Sequence, residues 1–152
     1  MSTWIIENLG HLLTSASILI AFTTWLVNQK SNFRSEKINH TASILSQTKT
    51  VKHLAEADYL INNLINKNAK ISKEGITPEI EKPIFLMLNY YESLCALSEL
   101  GVIDKKTLLH LRGGLMKRTF YLCEPYIRQY RHEQGRKEIY AKLEKFSEQF
   151  GC

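Results

Sequence analysis

A chain of 152 residues with a net charge of +5 supplies one modest hydrophobic core plus appendages and is too short for two large ones. With 44% hydrophobic and 23% charged residues it is not a disordered chain, and the scarcity of Pro and Gly with no sustained period-2 pattern leaves little for a sheet. Three widely spaced cysteines, Cys95, Cys123 and Cys152, with no CxxC pair, support neither a disulfide framework nor a zinc site.

The first element is the most apolar. No Lys, Arg, Asp or Glu occurs from Asn8 to Gln29, and the sixteen residues Leu12 to Val27 are diluted only by Ser and Thr. A run without charge on any face is buried either in protein or in lipid. Alone it covers about 24 Å at about 1.5 Å per residue, short of the roughly 30 Å of bilayer hydrocarbon. Extended back to Trp4 it is long enough, and the flanks favour lipid. Trp4 and Trp25 lie near opposite ends, while Lys30, Arg34 and Lys37 follow and only Glu7 precedes. Indoles prefer the membrane interface and basic residues the cytoplasmic side. A cleaved signal peptide would carry its charge before the run. The expectation is a single-pass anchor over residues 1 to 30 in the inner membrane, N-terminus outside, with the rest cytoplasmic and the lipid bilayer as first partner.

Residues 30 to 68 read as one long polar helix. Its apolar stripe is thin between Ser31 and Thr50 and strong from Val51 to Ile65, so a solvated stalk leads into packed helix, with stalk and loop together over residues 31 to 75. The loop ends where Thr77 and Pro78 form a helix start. Residues 83 to 101, apolar nearly all round, mark the central helix of a bundle, with Asn89, Glu92 and Glu99 on one strip. Gly101 is the C-cap and Asp104 the N-cap of the next helix. That helix carries Leu108, Leu111, Leu115 and Leu122 inward, and Pro125 should kink or end it. The Gly pair in "LRGGLMKR", lacking a phosphate-loop context, is best explained by close helix packing. Cys95 and Cys123 read as small core hydrophobes. After Gly135, Ile139, Leu143, Phe146 and Phe150 form a short amphipathic terminal helix. The fold class is all-α: a transmembrane helix, a stalk, and a small helical bundle over residues 76 to 152 packed with the end of the stalk.

Charge is unevenly placed. Residues 76 to 104 carry one Lys against five acids, and residues 105 to 152 eleven Lys and Arg against five Glu, which implies complementary packing within the bundle or between protomers. "YIRQYRHEQGRK", residues 126 to 137, interleaves Tyr126 and Tyr130 with Arg128, Arg131, Arg136 and Lys137. It is either a solvated helix end favouring the dipole or a site for phosphates or acidic headgroups. Asn89 and Glu92 complete the candidate interaction residues, Glu92 being expected to pair with a Tyr or Arg of a neighbouring helix. No HExxH, GxSxG or comparable constellation occurs, so no catalytic residue, metal or cofactor is assigned and no small-molecule substrate is expected.

The stretch from Asn89-Tyr90-Tyr91-Glu92 through "GVID", a Gly in the next helix, "EPYIRQYR" and a final aromatic helix resembles a family of small bacterial and phage proteins catalogued only as a domain of unknown function. An aromatic before the Glu-Pro, usual in that family, is met by Phe120. The resemblance implies one N-terminal membrane helix, a helical stalk and a compact helical domain, and carries no activity. Three functional readings follow: a membrane-tethered module that recruits a protein partner or self-associates; an effector that oligomerises through its span to act on the membrane, as in phage defence; and, third, nucleic-acid binding by the basic C-terminal part, with nucleic acid an unlikely partner.

Overall fold

The computed structural model describes residues 2–67 and 70–149, with side chains from Ser17 onward. Helix dominates and no strand occurs among the described residues, in accord with the all-α expectation. In chain order the elements are α1 (Ser2–Thr50), α2 (Lys52–Asn66), a 3₁₀ turn (Lys73–Gly75), α3 (Pro78–Glu99), α4 (Lys105–Leu108), a π turn (Leu109–Gly113), α5 (Gly114–Gln134) and α6 (Ala141–Glu148). The chain divides into two compact units, residues 1–37 and residues 38–152.

In the first unit, every described side chain from Ser17 to Glu36 is exposed, including Ile18, Leu19, Ile20, Phe22, Trp25, Leu26 and Val27. Thr23 Oγ1 donates to the carbonyls of Leu19 and Ile20 at 2.9 Å, so its hydroxyl is satisfied inside the helix. Phe22 and Trp25 stack with ring centroids 5.9 Å apart. Among the described residues no helix is long and apolar enough to cross a membrane. The anchor expected over residues 1 to 30 is therefore not found among them; its opening part, with the Trp4 side chain, lies outside the described side chains.

The second unit holds the core. Thr41, Leu45 and Thr48 on α1 are buried, so helix expected as solvated stalk is packed from Thr41 onward. The periodicity there looked thin because threonine fills two of the three inward positions, Thr41 and Thr48, and only Leu45 is aliphatic. Thr48 Oγ1 donates to the Leu45 carbonyl at 2.9 Å, and Thr41 Oγ1 accepts the Asp104 N–H at 2.8 Å. The helix is not continuous to residue 68: Val51, with extended φ −87° and ψ 111°, separates α1 from α2. Val51 keeps its own N–H bond to Gln47, so the break comes without Pro or Gly.

Helix α3 begins at Pro78 after Thr77, as the sequence requires, and buries Ile84, Met87, Leu88, Tyr91, Leu94 and Cys95. It is not buried all round, because Lys82, Phe85, Asn89 and Ser93 form an exposed strip. Gly101 (φ 73°) supplies the left-handed stop, with the Val102 N–H donating back to Leu97 at 2.9 Å. Asp104 then caps α4 by accepting the Thr107 N–H at 2.8 Å.

Pro125 does not end α5, which runs on to Gln134. The loop repairs the ladder instead. Ile71 donates its N–H to the Leu122 carbonyl at 2.9 Å and accepts the Tyr126 N–H at 3.1 Å, standing between two groups that would otherwise bond each other. The missing donor of Pro125 is thus accommodated in a helix opened to receive a loop residue.

Close helix packing does not explain the Gly pair either. Gly113 closes the π turn, and a Cβ there would come within 3.3 Å of Leu109 Cδ2, while one on Gly114 would meet nothing within 4 Å. Gly135 (φ 64°) stops α5, and α6 buries Leu143 and Phe146 against the core with Ile139 partly covered; Phe150 lies outside the described residues. Tyr140, just before α6, is buried at φ 58°, a backbone region costly for a side chain this large and held there by its packed ring. Cys95 and Cys123 are free and buried, as read; Cys152 lies outside the described residues.

Candidate functional site

The basic stretch at the end of α5 is occupied by the protein's own groups. Arg131 donates from Nε to the Ile139 carbonyl and from Nη2 to Glu144 Oε2, both at 2.8 Å. It thereby ties the C-terminus of α5 to α6. Arg128 pairs with Glu124 one turn earlier at 2.6 Å, and Arg136 with Glu138 at 2.8 Å; hydrogen bonding between these last two raises the guanidinium and lowers the carboxyl from their ordinary pKa values. Lys137 is exposed. Tyr126 is buried with its hydroxyl donating to Glu81 Oε1 at 3.1 Å, and Tyr130 stacks on it with centroids 6.0 Å apart. The stretch is a structural seam.

Glu92 and Asn89 part company. The two carboxylate oxygens of Glu92 accept the backbone N–H groups of Lys142 and Leu143, at 3.2 and 2.8 Å. They satisfy orphan donors in the first turn of α6. Glu92 is bonded to backbone, not to the Tyr or Arg expected from burial alone. Glu99 on the same strip takes the ammonium groups of Lys142 and Lys145, which hold its carboxyl below the usual range. The acidic helix and the basic tail thus pair within one chain. Asn89 instead borders a groove of about 530 Å3 between α2 and the start of α3, floored by Pro83, Phe85 and Leu86 and rimmed by His53, Glu56 and Glu79.

A polar cluster inside the bundle was invisible in the sequence. Arg112, the fourth residue of the π turn, lies 3.5 Å from Asp58 Oδ2 on α2 and donates to Thr48 Oγ1 on α1. Beside it the Tyr90 hydroxyl donates to the Ile44 carbonyl at 3.1 Å. The partners lie far apart in the chain, so no local pattern announces them. Among the described residues no group of three or more His, Cys, Asp or Glu side chains is placed to hold a metal ion.

The segments that carry the resemblance have visible duties. "GVID" is the stop of α3 joined to the cap of α4, Glu92 caps α6, and the Glu-Pro-Tyr step is where Ile71 enters α5. A family model covers residues 11–150. The chain belongs to that family, described as Domain of unknown function (DUF4760). No curated protein and no solved structure matches the chain. Within the family domain, the cations outside ion pairs are not those of residues 126 to 137 alone. Lys70, Lys106 and Arg118 enter no ion pair among the described residues. They stand around Gly114, brought together from a loop and from both sides of the π turn.

Proposed function

We propose that this protein is a membrane-tethered interaction module: the N-terminal part of α1 holds it at the bilayer, and the domain from residue 38 onward recruits a protein partner or a second copy at the cytoplasmic face. One observation carries the reading. The apolar side chains from Ile18 to Val27 are exposed on every face of their helix, although the domain that follows has a closed core of its own. A continuous exposed apolar surface of that kind calls for lipid or protein around it. The charge-free sequence from Asn8 and the basic residues Lys30, Arg34 and Lys37 favour lipid, with the domain inside.

The groove beside Asn89 is the surface offered to a protein partner. Its apolar floor and charged rim match the anatomy of a small interface. Fractionation of cells expressing the full chain, with reporters fused at either end, tests the tether. The reading requires the protein in the membrane fraction and a C-terminal reporter active only in the cytoplasm; a fully soluble protein or the inverse reporter pattern overturns it. Ile18→Lys with Phe22→Lys should release the protein to the soluble fraction. If overexpression is toxic and these changes abolish toxicity, the membrane-acting effector reading replaces the tether.

A further inference from the structure

Two clefts adjoin where the π turn passes into α5. The larger, about 790 Å3, is bordered by Lys70, Lys117 and Arg118, with Asn66 and the Tyr121 ring beside an apolar wall of Ile65 and Leu122. The smaller, about 460 Å3, is bordered by Lys106, His110 and Lys117. Lys117 and Gly114 belong to both. No carboxylate lines either cleft among the described residues, and Lys70, Lys106 and Arg118 are without ion pairs there, whereas Arg128, Arg131 and Arg136 are paired. The like charges of Lys70, Lys106 and Arg118 repel one another, and an anion between them relieves that repulsion.

Gly114 adds a second observation. A side chain at this position would meet no neighbouring atom within 4 Å, so its absence serves no packing and leaves the shared floor open. The π turn immediately before it is a distortion that recurs at functional sites.

We propose that the joined clefts bind a small molecule carrying two or more phosphate groups and a planar ring, the chemistry of a nucleoside polyphosphate. From Lys106 to Arg118 the helical run is about 18 Å long at about 1.5 Å per residue, enough for several phosphates in series. Lys117 stands in the middle, with Lys106 and His110 on one side and Lys70 and Arg118 on the other. The Arg118 guanidinium offers the two-pronged donor geometry that phosphate oxygens accept. The exposed Tyr121 ring and the wall of Ile65 and Leu122 give a planar base one aromatic and one aliphatic surface. The cleft volume falls within the range of small-molecule sites.

The test uses the full chain in non-ionic detergent, titrated calorimetrically with ATP, inorganic triphosphate and adenosine. ATP binds in a salt-dependent manner, triphosphate binds more weakly and adenosine does not bind. Lys70→Glu combined with Arg118→Glu weakens ATP roughly tenfold to a hundredfold, as expected for losing charge-assisted hydrogen bonds. Gly114→Leu replaces a helical glycine with a better helix former, so it keeps or raises the melting temperature while blocking the cleft and abolishing binding. Absence of both ATP and triphosphate binding by the native chain overturns the proposal, as does native-like affinity in a folded Gly114→Leu protein. Binding of a single-stranded oligonucleotide or of anionic phosphatidylserine vesicles in place of ATP also overturns it. None of these readouts depends on membrane localisation, so this site and the tether fail separately.

Discussion

The backbone N–H of Tyr126 donates to the carbonyl of Ile71, 3.1 Å away and on a different segment of the chain, while Leu122, four residues before Tyr126 on α5, receives its hydrogen bond from Ile71 at 2.9 Å. A loop residue thus occupies a place in a helix ladder. The position just before Tyr126 is Pro125, which has no N–H to give, so the helix is already one donor short there and opens at little further cost.

The Ile71 side chain is 7% exposed and belongs to the main core. Ile71→Ala should cost about 2–4 kcal/mol, the usual range for emptying a buried aliphatic site. Denaturant unfolding checks the value. Hydrogen exchange should show the Tyr126 amide protected in the native protein and faster in the variant; unchanged stability would mean that the loop is held by other contacts.

Arg112 and Asp58 are a partly buried ion pair, 14% and 19% exposed, and Asp58 Oδ1 is buried without a hydrogen-bond partner. Removing only the cation leaves a carboxylate short of compensation. Arg112→Leu should cost about 2–3 kcal/mol, below the figure for a fully buried pair because some solvent reaches it. Adding Asp58→Leu should recover at least half of that loss. A double-mutant cycle measures it, and purely additive losses would show that the two groups act independently.

Glu92 holds α6 through two backbone amides. Glu92→Ala should lower stability by about 1–2 kcal/mol, in the range of a lost helix cap, and loosen α6 before the rest of the bundle. Glu92→Gln, which keeps one acceptor, should fall between. Amide exchange at Lys142 and Leu143 reads this directly, and no change in their protection would exclude the capping role.

Burial pushes the thiols of Cys95 and Cys123 up to about 12 from an ordinary 9.0, with the Glu92 and Glu99 charges adding to the effect at Cys95. Because the folded-state values are raised, the stability linked to these groups is complete below about pH 9. It is lost as pH rises from 9 toward 12, where the unfolded chain releases protons that the native chain keeps. Tyr91, Tyr126 and Tyr140, also raised by burial, steepen the loss above pH 10. Urea midpoints should therefore fall between pH 8 and pH 10.5. In a Cys152→Ser protein, no thiol should react with a disulfide reagent before unfolding; a flat midpoint or rapid labelling of the native chain would contradict this account.

Features governed by neighbours in sequence could be read in advance. Gly101 and Asp104, Thr77 with Pro78, Gly135, and the inward Leu108, Leu122, Cys95 and Cys123 follow from local rules of capping and periodicity and lie where those rules put them. Leu111, expected inward, is instead 51% exposed because it falls in the π turn, where the extra residue shifts the helical face. What escaped depends on partners distant in the chain. Pro125 was expected to kink or end its helix, and which of the two could not be read because Ile71, 54 residues earlier, is its complement. Thr41 and Thr48 looked like solvated positions because their partners come much later in the chain, Asp104 at the cap of α4 and Arg112 in the π turn. Arg131 read as part of a solvated helix end or an anion site, because nothing local assigned it to Ile139 and Glu144. The groups around Gly114 were overlooked for the same reason, since Lys70 joins them only through the fold.

Helix α3 also carries a hazard during synthesis. Its buried residues from Ile84 to Cys95 are covered in part by Leu143 and Phe146 of α6, which leave the ribosome roughly 50 residues later. At about 5–20 residues per second, the most apolar helix of the domain waits for several seconds without its final cover. Glu92 and Glu99, whose partners Lys142, Leu143 and Lys145 are made in the same late stretch, stay unpaired over the same interval.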